Sequence, residues 1–261
     1  MSLFVFILGA SLGSFIAALS WRMPRDISIG KGRSFCPNCK AQIAWHDNIP
    51  ILSYLYLRGK CRACKKPISS RYFWVELTTG GVFFLLWIFQ NRLIVNIDLL
   101  SLLPLWATYL FLVSITLLCI CIFVIDYEHQ IIPDELVFLG FAASVLALLA
   151  SGTNLFYVHL LTGFLSATFF LLIVLATKGA GMGLGDVKLA VFLGSVLGVR
   201  QAIVWMFMSF VLGACVGVLL IAAKKYGMKS KIAFGPFIVA SFLLTALFGA
   251  ELISIIIPYT L

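Results

Sequence analysis

The chain has 261 residues, of which 62% are hydrophobic and only 11% are charged, and its formal net charge is +9. Soluble globular domains carry about 25% charged residues, so this composition, with a mean hydropathy of +1.09, excludes a soluble protein. Apolar runs of about 20 residues recur, and each is long enough to cross a bilayer as a helix. The runs are continuously apolar rather than alternating, which excludes a transmembrane β-barrel. The composition therefore predicts an all-α polytopic membrane protein.

The apolar runs predict about eight transmembrane helices. In chain order they are residues 2–21, 72–90, 99–125, 134–151, 156–177, 184–199, 201–223 and 234–257. No basic residue precedes the first run, so it is expected to be a retained helix rather than a cleaved signal peptide. The sixth helix is short and rich in polar and glycine positions, and a tilted or partly re-entrant helix is a second interpretation of it.

Positive charge is concentrated in two segments. Of the 19 Lys and Arg residues, 11 lie between Arg22 and Arg71, and four more lie between Lys224 and Lys231. Basic loops stay in the cytoplasm, which predicts that both termini face outside. Basic character is also typical of nucleic-acid binding, but the topological interpretation is favoured, and the predicted partner is the lipid bilayer with no nucleic acid. We predict three parts: the first helix at 1–21, a cytoplasmic domain at 22–71 and a membrane core at 72–261.

The cytoplasmic segment contains two cysteine pairs. CPNC at 36–39 and CRAC at 61–64 form a C-x2-C-x21-C-x2-C pattern typical of two zinc knuckles. The predicted ligands are Cys36, Cys39, Cys61 and Cys64. A cytoplasmic location disfavours disulfides, and a redox pair or free thiols are the alternatives to zinc. Four protein ligands leave no position for water, so the zinc is expected to be structural, in a small zinc-ribbon-like loop domain.

Two aspartates stand at the ends of apolar runs. Asp126 ends LFLVSITLLCICIFVID, and Asp186 begins the sixth helix after alternating glycines, so both are predicted at the cytoplasmic face. Two facing aspartates share one proton because like charges a few Å apart cannot both ionise. One can then act as a base on water and the other as an acid on a carbonyl, which hydrolyses a peptide bond without a catalytic metal. This chemistry requires the two carboxylates to meet.

Each aspartate also has a structural interpretation. Asp126 can be a helix-end residue in the membrane interface, and Asp186 can be an N-terminal carboxylate favoured by the helix dipole. Lys188 lies two residues after Asp186 and hence on a different helix face, so it is expected to pair elsewhere. Asp134 and Glu135 are expected to stabilise the first turn of the fourth helix.

Several of these segments resemble one known family. Gly183-Leu184-Gly185-Asp186 matches the GxGD signature of intramembrane aspartyl proteases, and the longer GMGLGDVKLA resembles the type IV prepilin peptidases within that group. Other segments similar to the same family, in order, are Gly13-Ser14-Phe15 with Arg22-Met23-Pro24, the four-cysteine segment, Asp126 through Ile132-Pro133-Asp134, and Phe234-Gly235-Pro236-Phe237. The chain departs from the family at Ala17, where asparagine is usual.

The resemblance implies an aspartic endopeptidase of the bacterial inner membrane. Such enzymes remove the short basic leader of prepilins and pseudopilins after a glycine, on the cytoplasmic side, and the substrate is itself a membrane helix. Asp126 and Asp186 would be the catalytic pair, and the four cysteines would bind zinc. Many members also methylate the new N-terminus with S-adenosylmethionine. That cofactor follows from the resemblance alone, because the sequence has no glycine-rich strand-to-helix nucleotide motif. No oligomeric state is predicted.

Two other classes of protein fit parts of the pattern. A proton-coupled membrane transporter would also keep intramembrane carboxylates and glycine-broken helices. It predicts carboxylates nearer the bilayer midplane, and it leaves the cysteine pairs unexplained. A structural, zinc-anchored assembly subunit would explain the cysteines but would not need paired aspartates.

Overall fold

The computed structural model describes residues 1–28, 34–152, 155–224 and 232–256. Within those residues the secondary structure consists of helices and two isolated β-bridges, which confirms the predicted all-α fold class. The chain divides into two compact units, Met1–Ile88 and Phe89–Leu261. The division predicted from the sequence, with boundaries after residues 21 and 71, stays a prediction. Most of the predicted basic segment Lys224–Lys231 lies outside the described residues.

The first unit is built on two antiparallel helices, α1 (Ser2–Arg22) and α3 (Ser70–Ile88), with the short α2 (Leu52–Tyr56) between them in sequence. Small residues allow α1 and α3 to pack closely. A Cβ atom at Gly13 would lie only 2.9 Å from the Cβ of Thr79. Membrane helices commonly use glycine at such contacts because their backbones can then approach each other.

Arg71 ties the beginning of α3 to the end of α1. Its guanidinium donates to the Ala17 carbonyl and to the Ser20 hydroxyl, both at 2.7 Å. Positive charge is favoured at the C-terminal end of a helix. Ala17, where the family usually has asparagine, is fully buried, and its backbone carbonyl makes this contact.

The second unit is a bundle around one short helix. Its helices in the described residues are α4 (Gln90–Asn96), α5 (Asp98–Leu102), α6 (Leu105–His129), α7 (Asp134–Ala150), α8 (Leu155–Ala176), α9 (Leu184–Leu197), α10 (Val199–Ala222) and α11 (Gly235–Ile256). Helix α9 contacts α7, α8, α10 and α11, and nine of its 14 residues are buried. A helix that is apolar on all sides is typical of the centre of a bundle, so the short sixth helix is the core of this unit.

Hydrogen bonds join the last two helices. The Trp205 indole N–H donates to the Ile238 carbonyl at 2.9 Å, and the Ser209 and Ser241 hydroxyls lie 2.6 Å apart. All four residues are buried. Polar side chains in an apolar bundle need such partners, and these contacts fix α10 against α11.

The predicted count of eight spanning helices stays a prediction. In the described residues, five helices are long and apolar enough to cross a membrane, and a sixth span results if α3 and α4 are counted together. Helix α7 has 17 residues and α9 has 14. A 14-residue helix is about 21 Å long, which is less than the roughly 30 Å of a hydrocarbon layer.

Seven of the eight predicted helices agree with the structure to within two residues over the described chain, and the prediction for 99–125 is wrong. That segment is broken at Leu103 and Pro104 into α5 and α6, because proline lacks the N–H that a continuous helix needs. Helix α6 also continues through Asp126 to His129, so Asp126 lies in its last turn rather than after it. Gln130, with φ of 55°, ends the helix in a left-handed conformation usually taken by glycine.

Candidate active site and metal site

The two cysteine pairs form knuckles with the same backbone structure. In the first, the Cys36 N–H donates to the Ala41 carbonyl and the Lys40 N–H donates to the Cys36 carbonyl, both at 2.9 Å. The second knuckle repeats these two hydrogen bonds at the same length, and there the donors are the Cys61 and Lys65 N–H groups. Lys40 and Lys65 both have φ of 59°, a conformation uncommon for residues other than glycine. The repeated geometry orients the two pairs of thiols.

The four predicted ligands come together. The sulfur atoms of Cys36, Cys39, Cys61 and Cys64 all lie within 4.8 Å of one another, and the Cys36 and Cys64 sulfurs are 3.9 Å apart. Zinc–sulfur bonds of about 2.3 Å in a tetrahedron require sulfur–sulfur distances of about 3.8 Å. The cluster therefore fits a metal such as zinc, with all four positions filled by protein.

Hydrogen bonds in the knuckle segment act on one thiol and on one carboxylate. The Cys39 backbone N–H lowers the pKa of the Cys36 thiol to about 6, and the thiolate is the form that binds metal. Nearby, Arg62 donates two hydrogen bonds to the Asp47 carboxylate, at 2.7 and 2.6 Å. These hydrogen bonds lower the pKa of Asp47.

The two aspartates lie at a helix end and a helix start within the second unit. Asp126 is in the last turn of α6, Asp186 is the third residue of α9, and the two side chains interact electrostatically. Both are buried, with 5% and 6% of their surface exposed. The two carboxylates thus lie close enough to influence each other, and their role as a catalytic pair stays a prediction.

The two carboxylates differ in their partners. Asp186 accepts a hydrogen bond from the Gly183 N–H at 3.0 Å through Oδ2, and it lies in the first turn of α9, where the helix dipole favours negative charge. Oδ2 of Asp126 is buried and makes no hydrogen bond of good geometry among the described residues, although the Gly235 backbone N–H acts on this carboxylate. A buried polar atom without a partner is costly, and functional sites are where such atoms are retained.

Gly235 and Ile132, which the sequence did not single out for this site, line it. A Cβ atom at Gly235 would lie 2.6 Å from Oδ2 of Asp126 and 3.2 Å from Cδ1 of Ile132. A Cβ atom at Gly185 would lie 3.0 Å from Cβ of the same isoleucine. Ile132 therefore contacts both glycine positions. Both residues fall in segments quoted for their family resemblance, and only the fold could assign them this place.

Lys188 pairs elsewhere, as predicted. Its ammonium group lies 2.7 and 2.8 Å from the two carboxylate oxygens of Asp134, in the first turn of α7, and both side chains are exposed. Glu128 is exposed. Of the cysteines outside the knuckles, Cys119 and Cys121 are buried, whereas Cys215 is exposed on α10.

Two family models match the chain. The bacterial peptidase A24 N-terminal domain matches residues 7–90, and the type IV leader peptidase family matches residues 111–218. No solved structure matches.

Curated relatives share the whole chain or most of it. A protein of Bacillus subtilis named prepilin leader peptidase/N-methyltransferase is 33% identical over 98% of this chain and 98% of its own length. Proteins of the same name from Myxococcus xanthus and Pseudomonas putida are each 34% identical, over 85% and 84% of this chain and over 64% and 73% of their own lengths. With this likeness along its full length, and with a buried aspartate pair and a four-cysteine cluster, the chain belongs to the type IV leader peptidase family.

Proposed function

We propose that this protein is a membrane aspartyl endopeptidase that cleaves the leader of type IV prepilins or pseudopilins after a glycine. The observation that carries the proposal is the buried pair of Asp126 and Asp186, in a chain whose relatives are named prepilin leader peptidases. The proposed site faces the cytoplasm of a bacterial inner membrane, because the basic segment 22–71 favours that orientation. A transporter is not favoured, because the similar proteins carry the names of enzymes.

In the proposed mechanism the two aspartates act on one water molecule. Asp186, whose charge is stabilised by the Gly183 N–H and the helix N-terminus, removes a proton from water as the oxygen attacks the scissile carbonyl carbon. Asp126, which lies in the last turn of α6, holds the shared proton and donates it to the carbonyl oxygen. Collapse of the tetrahedral intermediate breaks the C–N bond as the proton taken up by Asp186 passes to the leaving amine. One hydroxyl of the intermediate returns its proton to Asp126, which leaves the carboxylic acid product and restores the starting protonation of the pair.

The metal site has a separate role in this proposal. Zinc held by the four cysteines would cross-link the two knuckles and stabilise a segment too small to bury a core of its own. It supplies no reactive water, since all four positions are taken by thiolates. The peptidase chemistry is therefore assigned to the carboxylates alone.

Methyl transfer to the new N-terminus is the second activity in the relatives' names. We extend it to this protein as part of the proposal, with S-adenosylmethionine as the methyl donor. The described residues contain no strand, hence no strand-to-helix glycine loop of the kind that holds many nucleotide cofactors. No residue is assigned to this reaction.

Cleavage of a co-expressed prepilin tests the peptidase proposal. Asp126→Asn and Asp186→Asn nearly preserve shape but remove acid–base capacity, so each is expected to lower the cleavage rate by at least about 100-fold. Glu135→Gln, which neutralises an exposed carboxylate at the start of α7, is the matched control and is expected to cleave normally. Membrane levels are compared by blot. Wild-type cleavage by either aspartate variant would show that this carboxylate is structural.

A further inference from the structure

The segment between the two knuckles contains a strained turn held by a buried carboxylate. Ile51 has φ of 63° and ψ of −53°, and the Leu52 N–H donates to the Pro50 carbonyl at 2.5 Å. This is the rare γ-turn with positive φ, and a β-branched residue is an outlier there. The Ile51 N–H donates to Oε2 of Glu76 at 2.7 Å, and Glu76 is buried in α3. The carboxylate thus attaches the turn to the side of a membrane-type helix.

That attachment lies well inside the helix pair. The backbone of Glu76 is level with Gly13, because a Cβ atom added to Gly13 would lie 3.0 Å from the Glu76 Cα. Gly13 is nine residues before the basic end of α1 at Arg22, which corresponds to about 13 Å along the helix. The polar layer on each side of a bilayer is about 5–8 Å thick. Since α1 is long and apolar enough to be a membrane span, an attachment about 13 Å below its basic end places the turn at or just below the headgroup layer.

The backbone of the segment is suited to that depth. Non-helical backbone in a membrane requires internal partners for its polar groups. The Ser53 and Leu55 N–H groups donate to the Ile49 and Ile51 carbonyls, and the Ser53 hydroxyl donates to the His46 carbonyl at 2.8 Å. Pro50 has no N–H to satisfy. The backbone of the turn therefore needs few hydrogen bonds from water.

The surface of the segment is apolar and aromatic, and its surroundings are basic. Trp45 and Tyr56 are each 77% exposed, and Leu52 and Leu55 are also exposed. Trp and Tyr are enriched where membranes meet water. Residues 34–69 contain six basic residues and one acidic residue, Asp47, whose charge is paired with Arg62. The remaining positive charge complements anionic lipid headgroups.

We propose that residues 45–57 form a docking loop for the anionic phospholipid surface of the bilayer that α1 crosses. Trp45, Leu52 and Tyr56 insert at the headgroup boundary, and the basic residues of the second knuckle contact lipid phosphates. Glu76 is the positioning residue that holds the loop at this depth. The metal cluster is thereby kept against the membrane surface.

Photo-crosslinking of the full-length protein in nanodiscs tests the docking loop. Benzoylphenylalanine replaces Trp45 or Tyr56, and the nanodiscs contain phosphatidylcholine alone or mixed with phosphatidylglycerol. Exposed Leu85 on α3 is the lipid-facing control, and exposed Asn38, in the first knuckle, is the control outside the loop. Lipid adducts at Trp45 and Tyr56 are expected to approach those at Leu85 and to exceed those at Asn38 several-fold. Adducts no more frequent than at Asn38 would overturn the proposal.

Two further comparisons test the headgroup and the positioning residue. Lys60→Gln combined with Lys65→Gln is expected to lower the adduct yield at Tyr56 when phosphatidylglycerol is present and not in phosphatidylcholine alone; an equal effect in both would contradict anionic recognition. Glu76→Gln keeps an acceptor for the Ile51 N–H and is expected to retain the adducts, whereas Glu76→Ala is expected to lose them. The zinc content of each variant is measured to show that the knuckles remain folded. Equal adduct yields in the Glu76→Gln and Glu76→Ala variants would show that Glu76 does not position the loop.

Discussion

The cysteine cluster and the aspartate pair are built in opposite ways. Each knuckle repeats the same backbone hydrogen bonds, and together the four sulfurs fill every position of a tetrahedral metal site. The aspartate pair instead retains a buried oxygen of Asp126 without a hydrogen bond of good geometry among the described residues, next to Gly235. A site whose atoms are all occupied can only hold structure. A carboxylate packed directly against a glycine, with its partners incomplete, is typical of a site that acts on a bound group rather than one that only holds structure.

The largest loss of cleavage is expected where an added side chain would displace Asp126. Gly235→Ala would place a methyl group 2.6 Å from Oδ2 of Asp126, so the carboxylate must move. Displacement of a catalytic group by about 1 Å can cost about 100-fold in rate, and we expect a loss of at least that size in prepilin cleavage. Gly217→Ala on α10 is the control, because its added atom meets nothing within 4 Å. Normal cleavage by Gly235→Ala would show that Asp126 is not confined at this position.

Removal of the metal is expected to affect the cysteine cluster and not the aspartate pair. Cys39→Ser should lose zinc and speed proteolysis of residues 34–69 by at least about 100-fold, because structural zinc contributes several kcal/mol to folding. The cleavage rate per intact molecule should not change, since the aspartates use no metal. Cys215→Ser, outside the cluster, is the control for replacing an exposed thiol. A zinc-free variant that resists proteolysis like the wild type would contradict a structural role for the metal.

A smaller effect is expected for the ion pair of Lys188 and Asp134. Exposed ion pairs contribute about 0–1 kcal/mol, so Lys188→Met should lower thermal stability slightly and change cleavage by less than about 5-fold. Asp134→Asn should behave alike, and the double variant should add little to either. A loss of cleavage near that of the Asp186→Asn variant, with normal membrane levels, would instead place Lys188 in the reaction.

The smallest effect is expected for Asp47 and Arg62 in the knuckle segment. Hydrogen bonds from Arg62 lower the folded-state pKa of Asp47, so the pair stabilises the fold above the unfolded value of about 3.9 and is lost as pH falls through the lower folded value. Asp47→Asn should therefore speed proteolysis of residues 34–69 modestly at neutral pH, and the difference from wild type should vanish in strong acid. Arg62→Gln should give the same neutral-pH effect. A difference in proteolysis between Asp47→Asn and wild type that grows in acid would contradict a lowered pKa of Asp47.

Much of this architecture could be predicted from the sequence because apolar runs and cysteine spacing are local signals. The knuckles need four cysteines at fixed spacing, and the structure adds only that Lys40 and Lys65 accept a left-handed conformation. The break at Pro104 was missed because the surrounding residues are apolar enough to hide it. The end of α6 was missed because Gln130, rather than glycine, forms the helix terminus.

The surroundings of the aspartates depend on contacts between distant segments. Asp126 and Gly235 are far apart in sequence, and the glycine becomes informative only when α11 begins beside the last turn of α6. Ile132 belongs to a segment similar to the family, but an isoleucine in a membrane protein gives no sign by its type that it lies beside Asp126 and Gly235. Hydropathy alone also could not show that α9 is enclosed by other helices, because it registers apolar length and not contacts.

The shortness of α9 has a consequence for water. A helix about 21 Å long leaves roughly 9 Å of a 30 Å hydrocarbon layer uncovered at one of its ends. Backbone outside a helix is tolerated at membrane depth only when it is enclosed by protein or borders an aqueous cavity, and Gly183, which begins α9, has its N–H bonded to Asp186. An uncovered end on the aspartate side would form a recess open to the solvent, through which hydrolytic water reaches the carboxylates without crossing lipid.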